Sequence, residues 1–382
     1  MRQGGFCIKR LFSFLFVFTI VLVLKPTANA QVKMPSVSAQ CACIVERKTG
    51  RVICAKNEQQ RVSMASTTKI MTALLLCENA DLDDTAVVTD AMVRVEGSSM
   101  GLQPGDTVHY RDLLYGMMLA SGNDAANTTA LLLDGSLPAF AERMNRRAEQ
   151  IGMKNTHFVT PSGLDDPEHY STAADMAMLT VEALKHPAFA EAVASRTETL
   201  EYGNPPYKRT LTNHNRLLSA LSICDGVKTG FTKKSGRCLV SSAKDGDNGV
   251  VVVTLNDPDD WQDHKDLISY GLSQLESRQA PQPLLTPVTV VGGRQTTVDV
   301  QAEPISLSLL PGDHADVTVD VELSPALFAP ITEGESVGRI VYRLGEQTLA
   351  TANIYASNTV KSNTTVIRPS FWDWIRRILG SK

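Results

Sequence analysis

Between Ser277 and Pro283 the apolar period of the chain changes, and one architecture cannot serve both sides. Ahead of this point, helical and strand patterns mix. The segment 41–56 reads as a hairpin, with Cys41-Ala42-Cys43-Ile44-Val45 and Arg51-Val52-Ile53-Cys54 flanking a turn at Thr49-Gly50. Ile70, Ala73, Leu74 and Cys77 then recur at helical spacing in a helix that starts near Ser66. Residues 85–135 read as mostly helical, broken by Gly97-Ser98-Ser99-Met100-Gly101, and helical patterns return over 136–152 and 172–197. Strand patterns follow at 227–232, 237–242 and 249–255, then a helix over 261–275. Strand, helices and strands in that order predict an α+β domain, an antiparallel sheet packed by helices, over residues 31–276.

The polar, Pro-containing stretch 277–284 reads as a linker. Beyond it the helical period is gone. Val288-Thr289-Val290, Val298-Asp299-Val300, Val317 to Val321 and Arg339 to Tyr342 alternate as short strands, which predicts a small all-β domain over 285–366.

The two ends carry other signals. Arg2, Lys9 and Arg10 precede the uncharged, mostly apolar run Leu11–Leu24 and the small residues Ala28-Asn29-Ala30, the pattern of a secretory signal peptide over residues 1–30. Its removal takes away four cations and no acid, so the formal charge of −4 becomes −8. An acidic exported chain without a basic stripe is not a nucleic-acid binder. Export also argues against nucleotide chemistry, and no GxGxxG or GxxxxGK[ST] loop is present. At the other end, Phe371, Trp374, Ile375 and Ile378 share a helical face, widened by Trp372 and Leu379. Asp373, Arg376 and Arg377 lie opposite. Residues 368–382 therefore read as an amphipathic helix for a membrane surface. The six cysteines after the signal form no CxxC pair, which excludes the usual zinc spacing. Buried thiols are expected. Cys41, Cys43 and Cys54 are expected to share one hairpin face, which leaves one bridge open there.

Three short motifs carry chemistry. Ser66-Thr67-Thr68-Lys69 puts a hydroxyl and an amine three residues apart on a helix, hence on one side. Serine attacks a carbonyl only when a base takes its proton, and a buried lysine can be that base. Ser121-Gly122-Asn123 follows the apolar helix Leu113–Leu119 in a loop, where serine can relay a proton and asparagine can donate to a carbonyl. Lys228-Thr229-Gly230 lies on a strand, where the glycine admits a close substrate backbone. Two of the motifs have decoys, Ser241-Ser242-Ala243-Lys244 at a strand end and Lys48-Thr49-Gly50 in the hairpin turn. Order and context separate them: S-x-x-K at a helix start, S-x-N in a loop, K-T-G on a strand.

That triple resembles the low-molecular-mass penicillin-binding proteins that are D-alanyl-D-alanine carboxypeptidases, serine enzymes of cell-wall synthesis. The contexts are similar too, in Ala65–Ala73, Ser121–Ala125, Asp225–Thr232, and Gly163-Leu164-Asp165-Asp166 followed by His169-Tyr170-Ser171-Thr172. The resemblance covers nearly all of the chain after the signal, β domain and terminal helix included. It implies a catalytic domain of the β-lactamase/DD-peptidase kind and no cofactor or metal. Ser66 is then the nucleophile, Lys69 the general base and Ser121 a proton relay. Asn123, Lys228, Thr229, Gly230, Phe231 and Thr232 line the substrate site, and the Ser66 and Phe231 amides form the oxyanion hole.

The implied substrate is the peptidoglycan pentapeptide stem ending in D-Ala-D-Ala, and β-lactam antibiotics are the implied inhibitors. The implied place is the outer face of the cytoplasmic membrane. Phe231 stands where some members have histidine, and no residue is recognisable as the arginine that some members place near the substrate carboxylate. Asp175 and His157 read as structural. Glu168 lacks the asparagine four residues on that a class A β-lactamase needs. A DD-endopeptidase and a non-catalytic wall-binding scaffold remain as alternatives.

Overall fold

A computed structural model describes residues 34–363. The signal peptide expected over 1–30 and the helix expected over 368–382 lie outside them. In chain order, the first elements are β1 (Cys41–Glu46), β2 (Val52–Lys56), α1 (Lys69–Asn79), β3 (Thr85–Val87), α2 (Asp90–Val93), β4 (Thr107–His109) and α3 (Tyr110–Met118). Next come α4 (Asn123–Asp134), α5 (Leu137–Ile151), α6 (Ala173–Ala183), α7 (Pro187–Ala194), β5 (Thr197–Gly203), β6 (Pro206–Thr212) and α8 (Leu217–Ala220). The domain closes with β7 (Cys224–Thr232), β8 (Gly236–Asp245), β9 (Asn248–Leu255) and α9 (Asp260–Ser273).

Five strands form one antiparallel sheet in the order β2-β1-β9-β8-β7. Both of its faces are covered. Cys41, Cys43, Val45, Val251 and Val253 pack among the helices α1 and α3–α7, whereas Ala42, Ile44, Val250 and Val252 pack against α8 and α9. A strand buried on both sides reads as a continuous apolar run rather than an alternation, which accounts for Val250-Val251-Val252-Val253. The hairpin alternation also separates the cysteines. Cys54 stands opposite Ile44 and packs with it on the α9 face, away from Cys41 and Cys43. The shared face expected for these three thiols is therefore absent.

Other differences have local causes. The expected helix 172–197 is two, because Pro187 lacks the N–H a helix interior needs and instead starts α7. Residues 85–135 are not all helical. Thr85–Val87 and Thr107–His109 join β5 and β6 in a second sheet of order β3-β4-β5-β6. Its strands are mostly exposed, so little apolar alternation marks them.

Residues 277–279, expected in the linker, form most of β10 (Glu276–Gln279). Eight strands follow: β11 (Val288–Val291), β12 (Thr297–Val298), β13 (Val300–Ala302), β14 (Ser306–Leu309), β15 (Val317–Leu323), β16 (Ala326–Phe328), β17 (Ser336–Leu344) and β18 (Gln347–Ala356). β10 pairs with β14, so the chain leaves α9 directly into the β-rich region. This region has its own apolar cores, one around Ile340, Tyr342 and Ile354 and one around Val298, Ile331 and Val360. It touches the catalytic domain through an Arg51–Asp313 ion pair, Ser308 Oγ to Asn248 Oδ1 at 2.9 Å, and Gln347 Nε2 to the Thr49 carbonyl at 3.0 Å. Among the described residues no helix is long and apolar enough to cross a membrane.

Candidate active site

The nucleophile turn is built before the helix proper. Ala65–Thr68 is a tight 3-10 turn that runs straight into α1, and Ala65 sits at φ 49°, a left-handed position uncommon for a residue with a side chain. Two glycines pin this turn. Gly163, at φ +85°, lies so close that any side chain there would collide with the Ala65 carbonyl. A Cβ at Gly230 would stand 3.1 Å from both Met64 O and Ser66 N. Strand β7 therefore passes directly beside the Ser66 amide, an approach that any Cβ would crowd.

Lys69, on the first turn of α1, is fully buried. Its ammonium has three donors and three acceptors are in place: Ser66 Oγ at 3.0 Å, Asn123 Oδ1 at 2.7 Å and the Ser162 carbonyl at 2.7 Å. Burial and the nearby Lys228 charge both push its pKa well below the ordinary lysine range, with Asp124 opposing. Lys228, also fully buried, is pushed down to about 7 by burial, and it donates to the Thr229 carbonyl at 2.9 Å. Burial and the Lys228 charge thus favour the neutral Lys69 amine, the form that can accept a proton.

Ser121 ends the segment after α3 at φ 58°, buried but lining the cleft. Left-handed serine costs roughly 1 kcal/mol or more and persists where the surroundings hold it. Asn123 starts α4, and its amide is engaged at both ends, accepting from Lys69 and donating to the Glu96 carbonyl at 2.6 Å. Its neighbour Asp124 gathers the amides of Met100, Gly101 and Leu102 and the Ser99 hydroxyl, folding the Gly/Ser-rich segment over the start of α4.

These residues meet at a cleft of about 500 Å³ lined by Ser66, Ser121, Thr229, Gly230 and Phe231, whose ring is 66% exposed. Lys69, Asn123, Lys228 and Thr232 are not in its wall. The Thr232 hydroxyl bonds Asp165 Oδ1 at 2.9 Å and Ser235 Oγ at 2.8 Å. The cleft also has residues that the sequence motifs did not single out: Ser98, Asn213, His214, Arg216, Arg237 and Trp261. Arg237 stands opposite Phe231 in the β7–β8 register. Two of its nitrogens bond Asp260 Oδ1, at 2.9 and 2.7 Å, and its guanidinium lies 5.6 Å from the Trp261 ring. The other motif copies lie elsewhere. Ser241 bonds buried His264, and Thr49 sits in the hairpin turn. Asp175 serves Asn155 N and Thr156 Oγ1, and His157 bonds the Glu168 carbonyl, both structural contacts. Among the described residues no cluster suits a metal ion.

Residues 28–259 match the D-alanyl-D-alanine carboxypeptidase family, and residues 280–362 match the C-terminal domain of penicillin-binding protein 5. The D-alanyl-D-alanine carboxypeptidase DacF of Bacillus subtilis is 31% identical over 96% of this chain and 99% of its own length. DacC of Escherichia coli is 32% identical over 95% of this chain and 93% of its own. The crystal structure of penicillin-binding protein 5 from Haemophilus influenzae covers 87% of this chain and 100% of that one, at 29% identity and a TM-score of 0.63. With both domains matched, the chain belongs to the D-alanyl-D-alanine carboxypeptidase family.

Proposed function

We propose that the chain is a serine-type D-Ala-D-Ala carboxypeptidase that removes the terminal D-alanine from pentapeptide stems of peptidoglycan. The observation that carries this reading is the contact between Lys69 Nζ and Ser66 Oγ, made by a lysine whose burial and cationic neighbour favour the neutral amine. The Ser66 hydroxyl passes its proton to that amine as its oxygen bonds to the carbonyl carbon of the penultimate D-alanine. The developing oxyanion is held by the Ser66 and Phe231 amides. A single donor of this kind contributes on the order of 3 kcal/mol. The proton then moves through Ser121 to the leaving amine, the C–N bond breaks, and D-alanine departs. In deacylation Lys69 takes a proton from water as the water oxygen bonds to the acyl carbon. The bond to Ser66 Oγ then breaks and Lys69 passes that proton to Oγ, restoring the hydroxyl and the neutral amine.

Asn123 holds Lys69 in this scheme through its Oδ1, and its Nδ2, which gives one N–H to the Glu96 carbonyl, has a second to donate to the substrate. The substrate carboxylate is received by Thr229, under the charge of Lys228, and by Arg237, whose Asp260 bonds leave part of the guanidinium turned to the cleft. β-Lactams present a carboxylate and a strained amide to the same groups and acylate Ser66. The sequence pattern of residues 368–382 supports a location at the outer face of the cytoplasmic membrane.

The test is D-alanine release from a peptide ending in D-Ala-D-Ala by the full chain, wild type beside Ser66→Ala. Release by wild type alone, blocked by penicillin, supports the reading. Release that survives in Ser66→Ala contradicts it, as does its absence in both together with no penicillin labelling.

A further inference from the structure

The loop from Val159 to His169 is not part of any of the three motifs, yet it reaches the Lys69 amine. It is tied to the nucleophile helix at four places. The Ser162 carbonyl accepts from Lys69, and the Pro161 carbonyl accepts from Thr72 Oγ1 at 2.6 Å. Gly163 rests on Ala65. His169 Nδ1 accepts from the Val159 amide at 2.9 Å, so the neutral ring carries its proton on Nε2 and donates it to Thr68 Oγ1 at 2.8 Å. Burial pushes His169 down to about 4, which keeps the ring neutral.

The opposite side of the loop is tied to β7. Asp165 Oδ1 accepts from Thr232 Oγ1 at 2.9 Å and from Ser63 Oγ at 3.3 Å. Beside it, Lys234 Nζ approaches the Asp166 carbonyl at 3.4 Å. Asp165 thus receives the hydroxyl two residues after Gly230 and the hydroxyl three residues before Ser66. Each lies next to one of the surfaces that enclose the nucleophile turn. A carboxylate accepting two hydroxyls is a stronger tie than a neutral acceptor.

We propose that Asp165 is a positioning residue for acylation: by joining the 159–169 loop to β7 it holds the Ser162 carbonyl on Lys69 and Gly163 on the Ser66 turn. It touches neither substrate nor reacting atoms and acts through Lys69 and Ala65. The proposal rests on the assignment of Ser66 and Lys69 above, and its test separates the two.

The experiment measures the rate constant for acylation by a fluorescent penicillin across pH, with kcat and KM for the D-Ala-D-Ala peptide, in the full chain. Asp165→Ala is expected to slow acylation on the order of tenfold to a hundredfold with KM within about twofold, because the reacting groups are displaced while the cleft remains. Its acid limb is expected to move to lower pH. The Ser162 carbonyl favours the ammonium form, and losing it lowers the Lys69 pKa further while Lys228 and Asp124 stay in place. Asp165→Asn keeps an oxygen acceptor and is expected to recover most of the rate. Thr232→Val removes the same tie from the other side, so it reports even where Asp165→Ala fails to fold. The double variant is expected to be no slower than the slower single one. An Asp165→Ala enzyme with wild-type rate and pH profile overturns the proposal. So does a Thr232→Val effect confined to KM, or a rate loss that Asn fails to rescue with no shift in the acid limb. A wild-type chain that penicillin does not label fails the Ser66 assignment instead.

Discussion

The catalytic domain and the β domain bury their polar groups in opposite ways. The first encloses Lys69, Lys228, Ser121, Asn123, Asp124, His169 and His264. Among the described residues of the second, only Ser308 is a buried polar side chain, and its partner, Asn248, belongs to the first domain. An unpaired buried polar group costs a few kcal/mol, so a fold keeps such groups where they are bonded or used. The catalytic domain carries two buried lysines with depressed pKa values, at the cleft. The β domain carries apolar cores centred on Ile340 and Val298, which stabilise it and present nothing reactive.

Substitutions test this contrast. Lys69→Met should lower the penicillin acylation rate by about 10²–10⁴, the usual contribution of a general base, while the melting temperature stays near wild type or rises, since a buried amine is removed. A rate near wild type would mean the buried lysine is only structural. Arg237→Ala should raise KM for a D-Ala-D-Ala peptide by roughly tenfold and change kcat little, as expected for one charged hydrogen bond to a carboxylate. An unchanged KM would assign the carboxylate to Thr229 and Lys228 alone.

Lys228→Gln tests the coupling between the lysines. The Lys228 charge lowers the Lys69 pKa. The active form of Lys69 is the amine, so activity is present above its pKa and lost as pH falls through it. Removing the charge raises that pKa, and the acid limb of kcat/KM should move to higher pH. A limb that stays fixed or moves down would show that burial alone sets Lys69. In the β domain, Ile340→Ala should cost about 2–5 kcal/mol of that domain's stability by leaving a cavity, with acylation kinetics unaltered. A parallel loss of acylation would show that the two domains are energetically one unit.

What the sequence made legible follows the same divide. Ser66 and Lys69 were readable because their contact is local, one helical turn. The sheet strands 227–232, 237–242 and 249–255 were readable from apolar runs that two-sided burial enforces. Arg237 was not, because its place opposite Phe231 depends on the β7–β8 register and its direction on Asp260, some twenty residues on. Asp165 was visible within the family-like stretch Gly163–Asp166 but without a role, because its partners Ser63 and Thr232 are distant in sequence. Thr232 was read as a substrate ligand from its position after K-T-G, but that position does not reveal that its hydroxyl is already engaged. The hairpin cysteines were misplaced because a bulge between Ile44 and Val45 shifts the β1–β2 register.

The most direct measurement is to locate the penicillin adduct by peptide mass mapping. The site described here requires a single penicilloyl group on the peptide carrying Ser66, lost in Ser66→Ala. An adduct on Ser121, or on Ser241 within the second S-x-x-K, would contradict it, as would a wild-type chain that forms no adduct.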